Sequence, residues 1–145
     1  MNLRVAAPVL SIALSLTPTF VRAASLQLQG LCASQARAAF RSGGWETQPL
    51  AGFINHYDEN SNKCFIAILS TTNSGETILR NTIVFDANEG TTYATYAWHS
   101  MPNKKYWEVS PVDCSVTTLT GEEVQCHSND EFDQLIHGNF GVTLK

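Results

Sequence analysis

The chain opens on an apolar run without charge, Val5 to Leu16, preceded by Arg4 and followed by Val21-Arg22-Ala23. A basic start, an apolar middle and a small-residue end form the pattern of a secretory signal peptide cleaved after Ala23. The alternative is a retained anchor. The run reaches about 17 residues only by crossing Pro18, whereas a spanning helix needs about 20. Residues 1–23 therefore read as a signal peptide and residues 24–145 as one domain.

Beyond the signal the periodicity changes several times. Ser25-Leu-Gln-Leu-Gln alternates and predicts an extended segment. From Leu31 the apolar positions Leu31, Cys32, Gln35, Ala36, Ala39 and Phe40 follow helical spacing, with Gly43-Gly44 as the stop. The stretch from Lys63, "KCFIAILSTT", is almost continuously apolar and predicts a central strand buried on both faces. Strands also follow at "TILRNTIVFD" from Thr77, "TTYATYAWH" from Thr91 and "KYWEV" from Lys105. Ala87-Asn-Glu-Gly90 is a turn between two of them, and Asp58-Glu-Asn-Ser-Asn62 is a polar turn into the Cys64 strand.

At the C-terminal end, Ser128 and Glu131 form an S-x-x-E capping box. Phe132, Leu135 and Ile136 make the apolar stripe of a second helix, and Gly138 is its expected cap. These elements predict an α+β domain: an antiparallel sheet of about five to six strands with an N-terminal and a short C-terminal helix packed on one face.

The cysteines sharpen this picture. In "CSVTTLTGEEVQC", a loop Leu119-Thr120-Gly121 with glycine in the left-handed position sets Thr118 against Glu122, Val116 against Val124 and Cys114 against Cys126. Directly opposed cysteines in an antiparallel ladder suit a disulfide. Cys32 and Cys64 remain and pair with each other, tying the first helix to the central strand. No C-x-x-C is present, which argues against a redox or zinc site.

Charge excludes one class of partner. The chain has 9 basic and 13 acidic residues; removing Arg4 and Arg22 leaves 7 basic, and the net charge moves from −4 to −6. Between Lys105 and Lys145 there is no lysine or arginine, but there are the carboxylates Glu108, Asp113, Glu122, Glu123, Asp130, Glu131 and Asp133. Nucleic acid, which needs a basic stripe, is not an expected partner. Once the signal is removed, no stable membrane insertion is expected, and periplasmic or secreted localisation follows. The carboxylates form a solvated face or meet a basic partner.

Candidate chemistry concentrates in "TYAWHSMPNKKYWEV", Thr95 to Val109. A loop Met101-Pro102-Asn103-Lys104 sets His99 opposite Tyr106 and Trp98 opposite Trp107. Tyr96, Trp98, Trp107 and Val109 then share a core face, while Ala97, His99, Tyr106 and Glu108 share an outward one. His99 lies diagonal to Glu108. This face is the expected binding surface, through His99, Tyr106 and Glu108. His99 and Glu108 are also the candidates for acid–base catalysis.

Asp58, Asn60 and Asn62 begin like a calcium loop. Lys63 stands where that loop needs glycine and Leu69 where it needs glutamate, so no EF-hand is expected. His56, His127 and His137 are scattered, and no nucleotide, hydrolase or metalloprotease motif occurs. Neither metal nor cofactor is expected.

Several segments resemble a set of small, exported, four-cysteine bacterial proteins with no assigned activity: Cys32-Ala-Ser-Gln-Ala, His56-Tyr57, Lys63-Cys-Phe, Tyr96-Ala-Trp98, Tyr106-Trp-Glu-Val-Ser-Pro and "CHSNDEFDQL" from Cys126. The resemblance implies export and carries over no catalytic residue. The strand-rich, four-cysteine design is also similar to periplasmic lysozyme inhibitors, without their inhibitory motifs. The functional expectation is a periplasmic or secreted module that binds a protein or small ligand. The alternatives are a small hydrolase-like enzyme using His99 and Glu108, and a structural accessory of the cell envelope.

Overall fold

A computed structural model describes residues 19–144, with side chains from residue 25 onward. Most of the expected signal peptide therefore lies outside the described residues. The first helix, α1, covers Thr19–Ser42. Six strands follow: β1 (Ala51–Asp58), β2 (Lys63–Ser74), β3 (Thr77–Asp86), β4 (Thr92–His99), β5 (Asp113–Thr117) and β6 (Glu123–Gln125). Helix α2 covers Asn129–Phe140. The strands form one sheet in sequence order, every neighbour antiparallel.

β2 explains the layering. Phe65, Ile66, Ala67 and Ile68 are all buried, so both faces of this strand need cover. Phe65 and Ala67 join Val84, Tyr96, Trp98, Phe132, Ile136 and Phe140 in one core. Ile66 and Ile68 join Ala36 and Phe40 in another. The helices therefore lie on opposite faces, α2 on the first and α1 on the second, and not together on one face. A strand apolar at consecutive positions requires this three-layer solution.

Both disulfides form as expected, Cys32–Cys64 and Cys114–Cys126. Val116 pairs with Val124, Thr118 N–H donates to Glu122 O, and Gly121 takes φ 87°. The glycine turn thus sets the register that opposes the second pair of cysteines.

Other expectations need correction. Ser25 to Gln29 belongs to α1 and is not extended; Leu26, 71% exposed, does not face a core, so its alternation with Leu28 reported no burial. β1 was not expected, because its residues are nearly all half-buried and show no alternation. Lys105 to Val109 is not a strand. Tyr106–Glu108 is a 3₁₀ turn, closed by Lys105 N–H donating to Glu108 Oε2 at 2.7 Å. β4 pairs instead with β3 and β5, so Trp98 and Trp107 do not meet. Trp98 is buried and donates from Nε1 to Val109 O, while Trp107 is 75% exposed beside Lys105. Local hydrogen bonds within the turn, and a loop holding Pro102 and Pro111, win over a ladder here.

α2 starts as its box predicts. Ser128 Oγ accepts from Glu131 N–H, and Glu131 Oε2 accepts from His127 N–H. The helix runs past Gly138 to bury Phe140, and its cap is Gly141, at φ 67°. Burial of one more aromatic outweighs the cost of a glycine in the last turn.

Candidate functional site

The α2-covered face of the sheet carries a polar concavity that brings aromatic, cationic and acidic side chains together. Arg80 on β3 pairs with Thr71 on β2 and Trp98 on β4, and Thr82 pairs with Tyr96. Opposed residues of an antiparallel ladder project to the same side. Trp98 and Tyr96 belong to the core beneath α2, so Arg80, Thr82 and Thr71 share that face.

The 3₁₀ turn brings Tyr106 over this surface. Its ring packs on Trp98 at 4.7 Å, and its hydroxyl lies 3.0 Å from that of Tyr96. The guanidinium carbon of Arg80 sits 5.3 Å from the centre of the Tyr106 ring and 5.8 Å from that of Trp98. Tyr96 is fixed from the other side by Phe132 of α2, at 5.3 Å. Asn129 and Asp133, in the first turns of α2, form the facing wall, and Asn129 Nδ2 donates to Asp133 Oδ2. The cleft between them has a volume of about 260 Å³ and is also lined by Leu144. A second depression, about 370 Å³, continues along α2 past Asp130, Gln134 and His137 and shares Asp133 with the first.

Burial, first of all, raises the pKa of the Tyr96 phenol. Its hydrogen bond with Tyr106 and the negative charge of Asp133 act in the same direction, and Arg80 opposes them. Tyr96 therefore stays a neutral phenol at physiological pH. Two phenols sharing one hydrogen bond have one hydroxyl hydrogen left to donate. Arg80 forms no ion pair with any described residue; the ion pairs among them are Arg41–Glu46, Lys63–Asp86 and Lys63–Glu89. The Lys63 cluster is satisfied: Asp86, 1% exposed, also accepts from Asn88 N–H, and it braces the β3–β4 turn.

Of the residues expected at a binding face, the structure brings only Tyr106 near this cleft: it packs against Tyr96, Trp98 and Arg80 but is not part of the lining. His99 pairs with Leu79 and projects to the opposite side of the sheet from Trp98. Glu108 is engaged in its own turn. No hydrogen bond or ion pair joins His99 to Glu108 among the described residues. The acidic residues are largely held in local bonds: Asp113 accepts from Thr95, Glu123 from Gln125, Glu131 from His127.

Sequence reasoning missed Arg80 and Asn129, and it read Asp133 only as part of an acidic face. A lone arginine inside an apolar strand was the available signal. Counting register back from the Ala87–Gly90 turn does not reach its partner correctly, because a bulge at Val84/Phe85 shifts the pairing.

No protein-family model matches the chain, and no curated protein or solved structure matches it either. The described residues contain no group of side chains able to hold a metal ion and no free cysteine. No helix among them is long and apolar enough to cross a membrane.

Proposed function

We propose that the chain is an exported binding module, periplasmic or secreted, that holds a small ligand or a peptide end in the cleft between Arg80 and Asp133. One observation carries this reading: an arginine stacked on two aromatic rings, without an ion-pair partner among the described residues, facing a concave polar site. Concave sites with a few convergent polar groups are the usual form of small-ligand sites. Two disulfides and the apolar leader read from residues 1–23 support export. Cleavage after Ala23 shortens α1 yet leaves its Cys32, Ala36 and Phe40 stripe intact. The acid–base alternative has lost the hairpin register that brought His99 beside Glu108, and no second observation favours it.

The test is a screen of fragments and short peptides against the isotope-labelled protein, recovered oxidised from an export-competent host, read by amide and indole NMR shifts. The expected result is a class of binders whose shifts centre on Thr71, Arg80, Thr82, Tyr96 and Asn129. Binders that shift only other surfaces, or a screen that leaves these residues unmoved, overturn the proposal.

A further inference from the structure

Resting on that reading, we infer that the cleft recognises a carboxylate, held edge-on by Arg80.

The argument begins with the guanidinium. It is planar, always charged, and carries donors along its edges that match a carboxylate with two parallel hydrogen bonds. Trp98 and Tyr106 engage it through ring contacts at 5.8 and 5.3 Å, which limit its rotamers. Its edges carry no hydrogen bond or ion pair to a described residue, in a chain where acidic residues outnumber basic ones 13 to 9. An arginine in so acidic a chain would readily find an internal partner; this one is held against rings beside an open cleft.

Charge selects the class of anion. Among the described residues Arg80 is the only cation lining the cleft. A single guanidinium suits a planar monoanion. A phosphate carries more charge at neutral pH and needs more cations or a nest of backbone N–H groups. The Tyr96 hydroxyl, which lines the cleft, adds a neutral polar group. Free amino acids and peptide C-termini both present such a carboxylate, so both sources share the chemistry. A volume of about 260 Å³ admits a group of roughly that size.

The experiment titrates the oxidised full chain with alanine, trialanine, trialanine C-terminal amide and inorganic phosphate, following the Arg80 Nε–H and Trp98 indole signals. Trialanine or alanine is expected to bind, and the comparison between them decides the source. The amide is expected to bind about tenfold more weakly or worse, the scale of losing one charge-assisted hydrogen-bonded pair. Arg80→Gln should reduce carboxylate binding to the level of the amide. Arg80→Lys, which keeps the charge and loses the fork, should fall between, and it serves as the variant if Arg80→Gln unfolds. Equal binding of acid and amide, binding unchanged in these variants, or phosphate binding tighter than trialanine overturns the inference. If these probes fail while the wider screen still yields cleft binders, the carboxylate inference falls and the binding module stands.

Discussion

The two sides of the sheet are built differently. On one, α2 brings three aromatic or branched residues, Phe132, Ile136 and Phe140, into a core that draws on four strands and reaches Val142. On the other, among the described residues α1 contributes Cys32, Ala36 and Phe40 to the buried core, the last two over Ile66 and Ile68. The helix lengths run the opposite way, 24 residues for α1 and 12 for α2. Length therefore does not measure anchorage; the apolar area delivered per turn does. Each side has one disulfide. Cys114–Cys126 closes a hairpin whose ladder already holds it, whereas Cys32–Cys64 joins the thinly anchored helix to the central strand. The candidate cleft lies on the better-packed side, where rigid neighbours can fix the rotamers of Arg80, Tyr96 and Tyr106.

The strongest way to break this comparison is to remove each disulfide. Chain-entropy arithmetic for sequence separations of 32 and 12 gives losses of about 3.5–4 kcal/mol for Cys32–Cys64 and about 3 kcal/mol for Cys114–Cys126. The double variants Cys32→Ala/Cys64→Ala and Cys114→Ala/Cys126→Ala should therefore rank in that order in urea unfolding under oxidising conditions. Hydrogen exchange should show the first variant losing protection in α1 and β1 before the cleft residues. A larger loss from the hairpin disulfide would mean that the α1 side is better anchored than its core implies.

How much of this was legible depended on whether a signal was local. Gly121 fixed a turn, the turn fixed the register, and the register opposed Cys114 to Cys126. Ser128 and Glu131 likewise marked the start of α2 within a few residues. The segment from Lys105 misled because its alternating aromatics imitate a strand, while the deciding bond, Lys105 N–H to Glu108, is a three-residue turn. The allocation of helices to faces was implicit in the unbroken apolar run of β2, which needs cover on both sides. The cleft itself was out of reach. Arg80, Tyr96 and Asp133 line it from β3, β4 and α2, with Tyr106 packed against Arg80 from a loop, and only the three-dimensional register brings them together.

A second, smaller contrast concerns how the two helices end. Both stop near a left-handed glycine, Gly44 at φ 74° and Gly141 at φ 67°. A side chain at either position carries the left-handed penalty of about 1–2 kcal/mol. At Gly44 an added Cβ meets nothing within 4 Å, but at Gly141 it falls 2.5 Å from Nε2 of His56 on β1. Gly141→Ala should therefore cost about 1–3 kcal/mol more than Gly44→Ala, the scale of overpacking at a filled site. Paired thermal or urea unfolding of the two variants measures the difference. Equal losses would show that the His56 ring moves aside freely, and that the α2 C-terminus is not clamped against β1.

The two hairpin turns give the finest version of the comparison. The β1–β2 turn is held by a carboxylate: Asp58 accepts from the backbone N–H groups of Asn60 and Ser61 and from the Ser61 hydroxyl. The β5–β6 turn is held by a hydroxyl, Thr118 Oγ1, which accepts from Glu122 N–H. Burial, the largest single influence on Asp58, pushes its pKa up, but the hydrogen bonds from Ser61 and Asn60, with His56 nearby, together hold it below 3.8. A depressed folded-state value means that the unfolded chain binds its proton first as the pH falls. The turn's contribution is thus complete above the ordinary value of 3.8 and is lost as the pH drops through the lower folded value. Asp58→Asn should cost less than about 1 kcal/mol at neutral pH, since the amide oxygen still accepts hydrogen bonds, though more weakly than a carboxylate. The gap between wild type and variant should close as acid protonates Asp58, whereas the loss in Thr118→Val should keep its size across the same range. Urea unfolding of the three proteins from neutral pH downward decides it, and a gap for Asp58→Asn that stays constant through that range would remove the carboxylate from the account of this turn.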